Sequence, residues 1–110
     1  MSMEKLTRSQ VKYMVARARS EKRLVLFQDV DLSGVNLENL DLRKVTFRRV
    51  KLYDTVFNRS DLRNATFMDC DLTRANFSFV DARNIHIRWC VFDPERWRVS
   101  DTCRLGSCER

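Results

Sequence analysis

From Phe27 onward an apolar residue returns at every fifth position, a period that neither a helix at 3.6 residues nor a strand at 2 can sustain. The series runs Phe27, Leu32, Leu37, Leu42, Phe47, Leu52, Phe57, Leu62, Phe67, Leu72, Phe77, Ala82, Ile87, Phe92. Two residues ahead of each lies a second series, mostly small or β-branched: Val25, Val30, Val35, Leu40, Val45, Val50, Thr55, Ser60, Ala65, Cys70, Ala75, Val80, Ile85, Cys90. Asp or Asn often stands between the two, at Asp31, Asn36, Asp41, Asp61, Asp71, Asn76 and Asp81. Two apolar residues two positions apart describe a very short strand, and the polar gap that follows describes a corner. The pattern predicts a repeat protein in which each five-residue unit buries its apolar pair against its neighbours.

Stretches such as Val30-Asp-Leu-Ser-Gly34, Ala65-Thr-Phe-Met-Asp69 and Ala75-Asn-Phe-Ser-Phe79 resemble the pentapeptide repeat family. The resemblance covers residues 25–94. It implies an all-β solenoid, a right-handed quadrilateral β-helix with one pentapeptide per side and four per coil. Residues 20 apart then stack. One inward column holds Leu32, Leu52, Leu72 and Phe92; the next holds Leu37, Phe57 and Phe77; a third holds Leu42, Leu62 and Ala82; the fourth holds Phe27, Phe47, Phe67 and Ile87. Val30, Val50, Cys70 and Cys90 share a column, which places two thiols on adjacent coils as small buried hydrophobes. The resemblance also implies that the Asp41, Asp61 and Asp81 column serves the corners, with Arg43, Arg63 and Arg83 alongside to neutralise it.

A solenoid exposes an apolar cross-section and unpaired backbone at each end, so both ends need cover. Thr7 and Gln10 form a capping-box pattern, and Leu6 can staple onto Val11. Val11, Met14, Val15 and Ala18 share one helical face. A helix over about residues 8–22 is therefore expected to lie against the first coil. At the other end Asp93-Pro94 reads as an N-cap with Pro at the first helical position, a short turn placing Trp97 over the last coil. Residues 100–110 lack any period. The expected division is a capping helix over 1–23, a repeat body over 24–92, and a short cap and tail over 93–110.

The net charge of +6 is concentrated at one end. Residues 1–23 hold seven Lys and Arg against two Glu, whereas residues 24–92 hold ten basic side chains against nine acidic. The longest strongly apolar run, Leu24 to Phe27, is too short for a membrane span, so no membrane insertion is expected. No export signal is read near the N-terminus, and the expected compartment is the cytoplasm. Cys70, Cys90, Cys103 and Cys108 form no CxxC, and His86 is the only histidine, so no zinc site is expected. No Ser/His/Asp set and no Gly-rich phosphate loop is present, so neither catalytic residues nor a cofactor are expected. His86 is expected at the surface.

These observations favour a non-enzymatic interaction or scaffolding module with an unidentified protein partner, as a monomer or weak homodimer. The candidate contact residues are Arg83, Arg88, Trp89, Phe79, Met68 and Arg48, since aromatic residues and Arg most often anchor interfaces. Tyr53 is a further apolar group expected to point outward. A second reading is a weak binder of nucleic acid or an anionic surface through Lys12, Arg19 and Lys22 and the Arg columns. Some members of the family it resembles are long acidic DNA mimics directed at type II topoisomerases; the short length and positive charge here disfavour that role.

Overall fold

The computed structural model describes residues 3–92. The expectations for Pro94, Trp97, Cys103 and Cys108 lie outside them. The elements in chain order are β1 (Glu4–Lys5), α1 (Arg8–Ser20), β2 (Leu26–Gln28), β3 (Val30–Asp31), β4 (Thr46–Arg48), β5 (Thr66–Met68) and β6 (His86–Arg88).

All strand pairing is parallel, and from β2 onward each residue pairs with the one 20 further along. Phe27 faces Phe47, Phe47 faces Phe67, and Phe67 faces Ile87, in a four-stranded sheet ordered β2-β4-β5-β6. The other sides keep the same step through single bridges such as Asn36 with Val56, Asp41 with Asp61 and Lys51 with Asp71. Twenty residues thus make one turn of a β-helix-like solenoid with four five-residue sides.

Its corners explain how so short a unit can turn. Two residues after each central position, thirteen successive residues from Asp29 to Trp89 lie in the left-handed region, with φ between 53° and 73°. Gly34 is the only glycine among them. Asp or Asn, which tolerate this conformation best of the remaining types, fill six more. At each of the seven Asp and Asn singled out above, the side-chain Oδ1 accepts the backbone N–H two residues on, from Ser33 onto Asp31 at 2.8 Å to Arg83 onto Asp81 at 3.4 Å. The Asp/Asn slot is therefore a corner device that ties down a donor the short strand leaves unpaired.

The interior is a single cluster of buried, mostly apolar side chains. Every central residue from Phe27 to Leu72 is buried, as are Ala82 and Ile87, while Phe77 and Phe92 are half-buried against the same cluster. Phe27, Phe47 and Phe67 stack with centroids 5.5 and 4.8 Å apart, and Phe57 stacks on Phe77 at 5.0 Å. The two stacks meet edge-on across the interior, Phe57 to Phe67 at 5.8 Å. Leucines fill most of the other two columns, which end in Phe92 and Ala82. Polar members of the second series are satisfied by one rule, donation to a carbonyl 23 residues earlier: Thr55 Oγ1 to Leu32 O at 2.8 Å, Ser60 Oγ to Leu37 O, and Cys70 Sγ to Phe47 O at 3.2 Å.

Helix α1 starts on the expected box: Gln10 N–H donates to Thr7 Oγ1 at 3.2 Å, and Thr7 N–H donates to Gln10 Oε1 at 2.8 Å. Leu6, Val11, Val15 and Ala18 are buried in the same cluster as the coils. Two expectations need correction. The helix ends at Ser20 and not at 22, because Lys22 turns left-handed at φ 56° and Arg23 N–H closes the end onto Ala18 O at 2.8 Å. Met14 is exposed, since it sits about 60° around the helix from Val11, at the margin of a narrow buried stripe.

Candidate interaction surface

The Asp and Arg columns expected on one side form a continuous zigzag. Arg43, Arg63 and Arg83 each fork onto the Asp two residues earlier, with closest contacts of 2.8, 2.7 and 2.7 Å. Arg43 and Arg63 also lie 3.9 and 3.7 Å from the Asp of the next coil. Hydrogen bonding from its own Arg holds each of Asp41, Asp61 and Asp81 below the usual carboxylate range, while each Asp raises its Arg in return. The charges on this side are spent on one another, so its field at a distance is small. Arg83 belongs to this zigzag and not to an open basic patch.

Four of the other candidates come together. Arg48, Met68 and Arg88 are direct partners in the ladder of β4, β5 and β6, and Trp89 stands at the corner beside Arg88. Trp89 is 70% exposed and holds φ 55°; Met68, expected to point outward, is half-buried between the two arginines of its column. Phe79 is 80% exposed, but it lies two corners away from Trp89, where Arg59 covers its ring at 5.4 Å. Tyr53 takes the guanidinium of Arg74 over its ring at 5.5 Å. His86 is exposed, in the column of Leu26, Thr46 and Thr66.

The basic residues of the N-terminal segment divide. Lys12 and Lys22 are exposed. Arg19 points at the first coil: it donates to Asp41 O at 3.1 Å and Arg43 O at 2.7 Å and pairs with Asp41 Oδ2 at 3.0 Å. Leu24 and Leu26, outside the expected contact residues, are 89% and 50% exposed. With Tyr13 and Met14 of α1 they line a groove of about 710 Å³ between the helix and the first coil. A signal was present: Leu24 and Leu26 fill slots that later coils give to Lys44, Asn64 and Asn84, and to Thr46, Thr66 and His86.

Cys70 is buried, Cys90 is half-buried against expectation, and both are unpaired. The last full coil is less enclosed than those below it, with Val91 beside Cys90 largely exposed. The neighbouring Cys90 thiol, then burial, pushes the Cys70 thiol up. Among the described residues no cluster of His, Cys, Asp and Glu suits a metal ion, and no helix is long and apolar enough to cross a membrane. A family model described as a pentapeptide repeat region matches residues 23–96. No curated protein matches the chain.

Proposed function

Because the chain belongs to the pentapeptide repeat family, we propose that it is a non-enzymatic protein-interaction module whose coils hold a docking patch of Trp89, Arg88, Met68 and Arg48. Its coils wind right-handed, as family membership implies, and α1 serves as their N-terminal cap. Unpaired thiols at Cys70 and Cys90 support a reducing compartment such as the cytoplasm.

One observation carries this reading. Trp89 keeps a 70% exposed indole on a left-handed backbone, where a bulky residue costs about 1–2 kcal/mol and gains no core packing. Neighbouring coils use Arg49 and Asp69 at this corner, and Asn84 shows that the fold accepts Asn in the same conformation. A large aromatic group beside arginines suits an interface anchor, not a turn former.

Trp89→Asn removes the anchor and relieves the backbone, so the variant should melt no lower than the parent. Crosslinked capture from host lysate should return a protein band that the variant loses at least tenfold. The competing reading is tested by titrating labelled duplex and single-stranded DNA at two salt concentrations. Submicromolar binding that survives about 0.15 M salt and weakens on replacing Lys12 and Lys22 would sink the interaction reading, because phosphate contacts should be steeply salt-dependent.

A further inference from the structure

The first coil leaves one pair of backbone carbonyls on each of its four sides facing the N-terminal end, and three of the four pairs are met. On the first of these sides Leu6 N–H donates to Asp31 O at 3.1 Å, Lys5 Nζ donates to Ser33 O, and β1 lies parallel to β3. On the next, Arg8 Nη1 takes both Asn36 O at 3.0 Å and Glu38 O at 2.9 Å. On the third, Arg19 takes Asp41 O and Arg43 O. The equivalent carbonyls of the fourth side belong to Leu26 and Gln28 of β2.

Strand β2 is the outer strand of its sheet. Thr46 N–H donates to Val25 O at 2.9 Å, and Asp29 N–H donates to Arg48 O at 3.2 Å. These bonds turn Val25 and Asp29 toward β4. The alternation of a strand then turns the N–H and C=O of Leu26 and Gln28 outward. Among the described residues nothing meets them as β1, Arg8 and Arg19 meet their counterparts. This edge opens into the groove bordered by Tyr13, Met14, Leu24 and Leu26. Proteins ordinarily blunt such an edge with charge, Pro or a covering element, and here it is flanked by exposed leucines.

We propose that the outer edge of β2 is a strand-addition site for an extended, acidic peptide segment of another protein. Main-chain hydrogen bonds to Leu26 and Gln28 would give affinity, and alternate apolar side chains would enter the groove. Charge selects the partner. Arg17 and Arg23 share the single carboxylate of Glu21, and Arg48 forms no salt bridge among the described residues. An acidic strand complements these three, whereas a second copy of the chain would set arginine against arginine. Trp89 lies three coils away, at the far end of the column that begins at Asp29; the two sites share Arg48, and the main-chain groups of Leu26 and Gln28 belong to this one alone.

The probe is an acetylated, amidated eight-residue peptide alternating Val with Glu, titrated against the full chain. It should bind at least tenfold more tightly than the Val/Lys peptide. Methylating alternate backbone nitrogens should cost at least tenfold while keeping every side chain. Gln28→Pro removes an outward N–H and leaves the ladder to β4 intact, so it should also cost at least tenfold. Hydrogen exchange on the unaltered chain supplies a readout that needs no variant: the Leu26 and Gln28 amides should slow when peptide is added. Trp89→Asn should leave all of this unchanged. The proposal fails if no peptide binds, if the methylated peptide binds equally, if exchange at Leu26 and Gln28 is unaffected, or if the chain instead dimerises through this edge.

Discussion

Arginine does different work in the N-terminal segment and in the coils. Arg8 and Arg19 reach across 22 to 30 residues of sequence to bare carbonyls of the first coil. Arg43, Arg63 and Arg83 fold back onto an Asp two residues away. Removing one of the coil arginines returns a partly solvated carboxylate to water at little cost. Removing Arg8 or Arg19 strands acceptors at the end of the sheet, where a protein group must replace the next coil. A solenoid is therefore held by its repeats in the middle and by non-repeating residues at its end, and the same side chain is worth more in the second setting.

The core sets the upper bound against which both kinds of arginine are judged. Phe67 lies in the middle coil, fully buried, with rings of Phe47, Phe57 and Phe77 around it. Phe67→Ala should cost about 3–5 kcal/mol in urea melts. A loss below about 1 kcal/mol would mean the coils are not held by this stack.

The N-terminal arginines come next. Arg8→Ala and Arg19→Ala should each cost about 1–2 kcal/mol, the range for bonds to a charged donor reduced by partial exposure. Hydrogen exchange should quicken in the first coil before the third. Equal quickening in all coils would erase the distinction between end and middle.

The coil arginines come last. Arg63→Ala should cost less than about 1 kcal/mol, since the pair is partly solvated. The sign of its pH dependence follows from the lowered values of Asp41, Asp61 and Asp81. Their contribution is fully present above the unfolded carboxylate value of about 3.9 and is lost as pH falls through the folded values. The triple variant with Asn at all three should therefore differ from the parent at pH 7, and the gap should close toward pH 2. A gap that widened on acidification would reverse the assignment.

Much of the coil was legible because its contacts recur. The period of five named the buried column, the step of 20 named who stacks on whom, and the Asp and Asn slot named side chains that serve the corners. The start of α1 was equally plain, because Thr7 and Gln10 are three residues apart and interact within one turn. Beta1 was not foreseen: two residues carry no period, and Glu4 and Lys5 pair only because β3 presents an edge to them. Met14 was misplaced for a related reason. Which margin of a helical stripe is buried depends on the surface it meets.

The sequence by itself determined the unit, the register and the core of this protein, since each rests on interactions repeated at a fixed spacing and needs no knowledge of the ends. Only the tertiary structure decided which arginines hold the first coil, which half of the thiol pair is shielded, and which side of that coil is left open at Leu26 and Gln28. The first and last depend on a single placement of α1 against the coil, and the second on how far the last coil is enclosed; a contact made once leaves no period to read.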